Sequence, residues 1–293
     1  MMTEQEFAAK LKAIRTDRTS GATELARRCV EIAAESCLQD NLPTTRKFLV
    51  TLNSRIDQLA RSRPSMAPVA NILRTFKGEI EKTAHLAPAD ARKKCLEIAR
   101  LTLDASLKST GESARHAAAL VGKGRTVFTH SYSSTILQSF IFLAEQGLRV
   151  IVSESRPLCE GYRLAEKLSR LKIPTTLITD AQTGLFVKKA DIVLVGADAI
   201  LPDHSVINKA GTYLLALSAY DNNVPFYVCC EKYKQLGQGD GTPELEAMNT
   251  SELKGPDLPF VTLENIYFDI TPVKFISGWI NEDGVVPVNQ AGR

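Results

Sequence analysis

Five short apolar segments of this sequence are each followed directly by polar or charged residues. The segments read "TVFT", "RVIVS", "TTLIT", "IVLVGA" and "FYVCC". The side chains that follow them are of types that transfer protons or bind anions, namely imidazole, hydroxyl, carboxylate, guanidinium and ammonium groups. In chain order these residues are His130, Ser131, Ser133, Glu154, Arg156, Asp180, Asp198, Glu231 and Lys234.

The turn "HSYSS", from His130 to Ser134, precedes a segment with helical periodicity. A serine cluster in that position is typical of a helix N-cap. The same arrangement also forms an anion site, because hydroxyl groups and free N–H groups meet where a helix begins. The residues of the turn are compatible with either interpretation, and also with both at once.

Four residues after the strands combine a polar side chain with an unusual local context. Asp198 follows a Gly-Ala turn at an apolar strand end, where a buried carboxylate is costly without a partner or a task. Arg156 has the forked geometry that phosphate recognition favours, although it could equally pair with Glu154. Asn208 and Lys209 are predicted to open a helix, as a polar cap and a solvated lysine or as ligand-binding groups.

The elements that carry these residues differ between the two halves of the chain. Residues 1–120 contain apolar positions at helical spacing throughout and predict an all-helical N-terminal domain. Residues 121–293 alternate β-branched runs with helical segments such as "SSTILQSFIFLAEQG", "CEGYRLAEKLSRLK", "AQTGLFVKKA" and "INKAGTYLLALSAYDNN". This alternation predicts an α/β fold, a Rossmann-like parallel sheet whose ligands bind beyond the carboxyl ends of the strands.

Composition excludes several classes of protein. The 293 residues are 44% hydrophobic and 24% charged, with a net charge of +3 that gives no reason to expect a nucleic-acid or acidic membrane partner. No apolar run is long enough to cross a bilayer, and the polar N-terminus lacks the core of a signal peptide. The six cysteines lack a CxxC pair and the four histidines lack ligand spacing, so we expect reduced thiols, a cytoplasmic protein and no metal. Neither GxGxxG after the first strand nor a P-loop motif occurs, so no nicotinamide or flavin cofactor is expected.

The ordered set "THSYSS", "SESRPLCEG", "ITDA", "VGADAI", "VINKAGT", "PFYVCCEKYK" and "NIYFDITP" resembles the initiation factor 2B α/β/δ-like family. Relatives in that family include ribose-1,5-bisphosphate isomerase and methylthioribose-1-phosphate isomerase. The resemblance covers roughly residues 120–290, and "DRTSGATELA" and "RPSMAPVAN" extend it into the helical half. It implies a site that binds a phosphorylated sugar.

The resemblance also implies roles for individual residues. The family's isomerases use an Asp in the "GAD" turn and a Cys in the "THC" turn as acid and base. Asp198 matches the first, whereas Ser131 occupies the place of the Cys. The residues implied to bind substrate are Arg18, Gly21, Arg63, His130, Ser133, Arg156, Gly161, Asn208, Lys209 and Lys234. The "FDITP" segment, with Asp269 and Pro272, is expected to be structural or to lie at a subunit interface.

The replacement of Cys by Ser131 bears on catalysis. A thiol with an ordinary pKa of about 8.5 titrates within reach of neutral pH, whereas a serine hydroxyl needs an activating neighbour. His130 is adjacent, but neighbours on an extended segment point to opposite faces. Ser131 is therefore a poor direct substitute for the thiol, although it can donate a hydrogen bond to a sugar oxygen.

Three functions fit these observations. The first is an isomerase that converts an aldose 1-phosphate into the ketose 1-phosphate, with Asp198 and Ser131 as the catalytic pair. The second is a non-catalytic sugar-phosphate sensor or regulatory subunit, which the absence of the Cys favours. The third is a translation factor proper, for which only the family resemblance speaks. The retained Asp198, Asn208 and Lys209 favour the first over the second, and the apolar segment "FDITPVKFISGWI" suggests a homodimer or an assembly of dimers.

Overall fold

The computed structural model describes residues 2–39 and 42–288. The chain divides into two compact units, Met1–Lys108 and Ser109–Arg293. One long helix, α5 (Pro88–Val121), begins in the first unit and ends in the second. The boundary expected from the sequence, at residue 120, lies at the end of this helix rather than at the division between the units.

The first unit is helical, as its apolar periodicity indicates. Before α5 it contains α1 (Glu4–Thr16), α2 (Ala22–Gln39), α3 (Thr45–Ala60) and α4 (Ala67–Glu81). Thr3 and Glu6 form a capping box that satisfies the first N–H groups of α1. The apolar faces of these helices meet in a core of fully buried side chains that includes Phe7, Leu25, Phe48, Ile56 and Phe76.

The second unit is built on a seven-stranded sheet with the spatial order β10-β9-β7-β4-β1-β2-β3. Every strand pair is parallel except β9 with β10. The strands are β1 (Thr126–Thr129), β2 (Arg149–Ser153), β3 (Thr175–Ile178), β4 (Ile192–Val195), β7 (Phe226–Cys229), β9 (Gly278–Asn281) and β10 (Gly284–Pro287). The predicted fold class, helices followed by a Rossmann-like parallel sheet, is confirmed.

Helices cover both faces of this sheet, and the strands alternate their side chains between two cores. Val127 packs on one face with residues of α5, α6 (Ser134–Leu143) and α7 (Glu160–Arg170). Phe128 packs on the other face with residues of α9 (Thr212–Asp221). Because both faces are buried, the inner strands are apolar throughout. This explains why their sequences are recognisable as short, largely apolar runs with β-branched residues.

A second, three-stranded antiparallel sheet has the order β5-β6-β8 and was not predicted. Its strands are β5 (Ala199–Ile200), β6 (Val206–Lys209) and β8 (Phe268–Thr271). The prediction that Asn208 and Lys209 open a helix is wrong: they end β6, and α9 begins only at Thr212. The segment "AQTGLFVKKA" is also not one helix, but a short α8 (Thr183–Phe186) between two 3₁₀ turns.

The segment "FDITPVKFISGWI" contributes to the core of the second unit itself. Phe268, Phe275, Ile276 and Ile280 are all buried within the single chain. The apolar character of this segment is therefore explained without a partner subunit, so it no longer argues for a homodimer.

Candidate functional site

The turn after β1 is both a helix cap and part of a larger polar cluster. Ser133 is the N-cap of α6, and its Oγ accepts a hydrogen bond from the Ile136 N–H at 3.4 Å. Ser131 has a positive φ of 62°, and its N–H donates to the Ser155 Oγ at 2.8 Å. This backbone turn ties the end of β1 to the end of β2.

His130 is buried at the centre of this cluster. Its Nε2 lies 2.9 Å from the Ala210 carbonyl and its Nδ1 lies 2.6 Å from the Ser153 Oγ. Nε2 must donate to the carbonyl, and in the neutral ring that burial favours Nδ1 then accepts the serine hydroxyl. Burial lowers the pKa of His130, against the opposing effects of the Ala210 hydrogen bond and the Asp180 carboxylate. Both ring nitrogens are engaged, so His130 does not activate Ser131.

Asp180 organises the turn after β2. Its carboxylate accepts the N–H of Ser155 at 2.8 Å and the N–H of Arg156 at 2.7 Å. The sequence places Asp180 after an apolar segment but does not predict this bridging role. The Arg156 side chain is exposed and donates to the Leu253 carbonyl at 3.0 Å.

Gly161 is a packing residue at the start of α7. An ideal Cβ at this position would lie 1.9 Å from the Ser153 carbonyl oxygen. Its N–H donates to the Glu154 carbonyl at 3.1 Å. Only glycine allows α7 to begin this close to the end of β2, so backbone contact explains why the "RPLCEG" segment requires glycine at this position.

Asp198 stands at the end of β4 beside a buried lysine. Asp198 is half-buried, and its N–H donates to the Ile207 carbonyl at 2.8 Å. The Lys234 Nζ donates to the Ala197 carbonyl at 2.8 Å, one residue before Asp198. Lys234 also faces Glu231, with 3.3 Å between its Nζ and the Glu231 Oε2. Gly196 adjoins the β1 turn, since a Cβ there would lie 2.8 Å from the Ser133 Oγ.

Lys209 is held by a carboxylate and an aromatic ring. Its Nζ lies 2.8 Å from the Glu160 Oε1 and 4.1 Å from the centre of the Tyr267 ring. The other oxygen of Glu160, Oε2, is buried without a hydrogen-bond partner among the described residues. Asn208 donates from Nδ2 to the Thr212 Oγ1 at 2.9 Å, so it also supports the start of α9.

Asp269 caps the same helix from β8. Its Oδ2 accepts the N–H of Gly211 at 2.7 Å and that of Tyr213 at 3.1 Å. Gly211 has a φ of +107°, and a Cβ there would lie 2.8 Å from the His130 ring. Burial raises the pKa of the Asp269 carboxyl to about 6, because the two N–H groups only partly offset the loss of solvent. The structural role suggested for "FDITP" is thus consistent with these contacts.

Replacing Asp269 by Asn should change how stability depends on pH. The folded carboxyl holds its proton to a higher pH than an unfolded one. The contribution of this protonated carboxyl to the unfolding free energy is therefore fully present below pH 4 and is lost as the pH rises through 6. The interval from 3.8 to about 6 corresponds to roughly 3 kcal/mol. Between pH 4 and pH 7 the unfolding free energy of wild type should fall by that amount, whereas that of Asp269→Asn should not show this fall. Urea unfolding followed by Trp279 fluorescence measures both curves. An exposed control, Asp257→Asn, should follow the wild-type curve, and an Asp269→Asn curve parallel to wild type would contradict the prediction.

The remaining expected residues lie in the first unit. Arg18 donates to the Arg15 carbonyl at 3.0 Å, and the buried Arg63 donates to the Asp17 carbonyl at 3.0 Å. Gly21 directly precedes α2, and its carbonyl accepts the N–H of Leu25 at 3.0 Å. Partial burial acts to raise the pKa of Asp17, but the N–H groups of Ser20 and Thr19 and the guanidinium of Arg28 lower it well below its usual range. These contacts order the turn that carries Arg18 and Gly21.

The second unit therefore connects most of the expected residues through direct contacts. His130, Ser131, Ser133, Lys209 and Lys234 belong to turns that touch one another, and Asp198 adjoins Lys234. The residues that sequence reasoning did not assign to the site are polar partners of its members. Ser153, Ser155 and Glu231 are buried, whereas Glu160 and Asp180 are half-buried. Their signal in the sequence was their position directly after apolar strands or at the start of a helix. Among the described residues, no group of three His, Cys, Asp or Glu side chains could hold a metal ion.

The chain also matches the model of a known protein family. Residues 18–288 match the model of the initiation factor 2 subunit family. The chain belongs to this family. Within the part of the chain that the structure describes, no helix is long and apolar enough to cross a membrane.

Family relatives carry two kinds of name. The chain is 36% identical to a putative translation initiation factor eIF-2B subunit 2-like protein of Pyrococcus horikoshii, with 94% of each chain covered. It is 33% identical to the methylthioribose-1-phosphate isomerase of Geobacter metallireducens, covering 88% of this chain and 79% of the relative. It is 28% identical to the ribose 1,5-bisphosphate isomerase of Methanocaldococcus jannaschii, covering 91% and 87%.

A solved structure agrees with the same assignment. The structure of the Pyrococcus horikoshii translation initiation factor eIF-2B aligns with a TM-score of 0.83 at 31% identity, covering 99% of this chain and all of that one. The expected resemblance to the initiation factor 2B-like family and its isomerases is thereby confirmed.

Proposed function

We propose that this initiation factor 2 family member is a sugar-phosphate isomerase that converts an aldose 1-phosphate, of the ribose-1,5-bisphosphate or methylthioribose-1-phosphate type, into the ketose 1-phosphate. The observation that carries this proposal is the half-buried Asp198 beside the buried Lys234 at the carboxyl ends of β4 and β7. A carboxylate for proton transfer and an ammonium group for a developing negative charge are the two groups that such a reaction needs.

The isomerisation moves hydrogen within one molecule, so it requires no external oxidant or reductant. Asp198 is the acid/base in this proposal. Ser131 hydrogen-bonds a sugar oxygen, because no base in its described contacts activates the hydroxyl and His130 is occupied by Ser153 and Ala210. The phosphate is bound by the cationic and N–H groups of the same strand ends, among them Lys209, Lys234 and the start of α6.

A second candidate function is a non-catalytic sugar-phosphate-binding regulatory protein of the initiation factor 2B type. Two observations favour it. Ser131 stands where the isomerases that the sequence resembles have a Cys, and the Pyrococcus horikoshii relative is named as a putative initiation factor subunit. In this alternative the same polar cluster binds the sugar phosphate without chemistry.

A ligand screen followed by a conversion assay separates the two functions. The purified protein is heated with ribose 1,5-bisphosphate, methylthioribose 1-phosphate, ribose 5-phosphate or AMP, and any binder is then followed by NMR for formation of the ketose. A ligand at a hundredfold excess over Kd should stabilise the folded state by about 2.7 kcal/mol. A shift with conversion supports the isomerase, and a shift without conversion supports the regulatory protein.

The variant Ser131→Cys is the matched comparison in this screen. If the thiol is the missing acid/base, the variant should convert the bound sugar faster than wild type while binding it similarly. The absence of any thermal shift with all four compounds would contradict both candidate functions and leave the "HSYSS" turn as a helix cap.

We further propose a cytoplasmic homodimer or an assembly of dimers. All six cysteines are free thiols, which suits a reducing compartment. The exposed apolar side chains Leu185, Leu214 and Leu217, on α8 and α9, support a contact with a second copy. Light scattering of the wild type and of Leu214→Glu tests this proposal, since the charge should favour the monomer.

A further inference from the structure

A buried ion pair lies directly after β7. The side chains of Lys234 and Glu231 are 5% and 0% exposed, and 3.3 Å separates the Lys234 Nζ from the Glu231 Oε2. Sequence reasoning assigned Lys234 to the substrate but gave no role to Glu231. An ion pair excluded from water is stable only if its contacts offset the desolvation of both charges. The contacts of each partner therefore show how the pair is held.

Glu231 is fixed in place independently of the lysine. Its second oxygen, Oε1, accepts the Thr110 hydroxyl of α5 at 2.7 Å and the Thr135 hydroxyl of α6 at 3.0 Å. Burial acts to raise the pKa of Glu231, but Lys234 and the two hydroxyls outweigh it and lower the pKa, so the group is a carboxylate at neutral pH. Hydroxyl groups from two helices thus hold the ionised Glu231 carboxylate next to the end of β7.

Lys234 connects this charge to the turn that carries Asp198. Its Nζ donates to the Ala197 carbonyl at 2.8 Å, which fixes the ammonium group one peptide away from Asp198. Lys234 therefore links the ends of β4 and β7, with its Nζ in contact with both the Ala197 carbonyl and the Glu231 carboxylate.

We propose that Glu231 is a positioning residue, which holds the Lys234 ammonium group charged and in place beside Asp198 so that it can bind an anionic oxygen of the sugar phosphate. This inference rests on the proposed sugar-phosphate site and deepens it. Glu231 acts through Lys234, which lies between it and the Asp198 turn.

The groups that face Lys234 support this role. Burial acts to lower the pKa of Lys234, whereas Glu231 raises it most, followed by Cys230, Tyr233 and Asp198, and the net effect is an increase. Burial raises the pKa of Cys230 itself to about 12, so that thiol carries no charge at neutral pH. Glu231 is therefore the group that most strongly opposes the desolvation of Lys234.

The variant Glu231→Gln tests the inference directly. The amide keeps an oxygen for the Thr110 and Thr135 hydroxyls but removes the charge that faces Lys234. Protein labelled with ¹⁵N-lysine is titrated by NMR from pH 7 to pH 10.5, and the Lys234 Nζ signal is assigned with Lys234→Arg. Wild type should keep Lys234 protonated throughout, whereas in Glu231→Gln the Lys234 pKa should fall two or more pH units below the ordinary lysine value of about 10.4, to roughly 8 or below, because burial then dominates.

The same two proteins are then compared as ligand binders. Calorimetry with ribose 5-phosphate at pH 7 and pH 9 should give nearly equal affinities for wild type. Glu231→Gln should lose roughly tenfold or more in affinity between the two pH values, because the uncharged lysine no longer attracts the phosphate. The control Glu145→Gln removes one negative charge at an exposed position of the same unit and should behave as wild type.

Failure of this inference is distinguishable from failure of the proposed function. An unchanged Lys234 titration in Glu231→Gln would overturn the positioning role, whatever the affinity does. A merely structural role would lower the melting temperature of Glu231→Gln without moving the Lys234 titration, and would also overturn it. If wild type does not bind any sugar phosphate, the proposed site is wrong, and with it the ligand that the inference assigns to Lys234.

Discussion

An Asp198→Asn variant should bind sugar phosphates about as tightly as wild type and convert them roughly 100 to 10,000 times more slowly, the range attributed to a single general acid or base. The amide has the shape of the carboxylate and can still hydrogen-bond the sugar, but it cannot accept a proton at neutral pH. The backbone of residue 198 is also fixed independently of its side chain, through the hydrogen bond to the Ile207 carbonyl. Initial rates by NMR and dissociation constants by calorimetry measure the two quantities separately.

The matched control is Asp221→Asn, which makes the same change at the exposed end of α9. This variant should retain both binding and turnover. Full turnover in Asp198→Asn would show that Asp198 is not the acid/base. Loss of binding together with turnover would assign Asp198 to ligand binding and would favour the regulatory alternative.

A Gly161→Ala variant should be destabilised by about 4 kcal/mol or more, which places it among the exceptional single substitutions. The added Cβ would lie 1.9 Å from the Ser153 carbonyl oxygen and 2.9 Å from its carbon. Both atoms belong to backbone at the end of β2, so no side chain can rotate away to make room. The start of α7 would have to move from the sheet, and with it the Glu154 to Arg156 turn.

Urea unfolding followed by fluorescence measures this effect in the second unit, because Trp279 is the single tryptophan of the chain. Gly184→Ala is the matched control, since a Cβ there meets nothing within 4 Å. Removing a glycine from α8 should leave stability unchanged or raise it by up to about 1 kcal/mol. Equal stabilities for the two variants would contradict the close approach of α7 to β2.

Several features of the fold were predictable because they follow from local sequence. The inner strands β1, β2, β4 and β7 are buried on both faces, and continuous β-branched runs are the signature of that environment. The short β5, β6 and β8 lacked such runs. Asn208 and Lys209 were assigned to a helix because two polar residues before a helical pattern look like a cap, yet they complete β6 and are buried.

The sequence by itself determined the fold class, the family and the polar character of the strand ends, because periodicity and motif order are local properties of the chain. Only the tertiary structure decided the partners of the polar groups: His130 with Ser153 and Ala210, Lys209 with Glu160, and Lys234 with Glu231. An isolated Lys or Glu in a sequence has the appearance of a solvated surface residue. Its burial, charge and role depend on which elements, distant in the sequence, contact it. The packing of helices on both faces of the sheet determines those contacts.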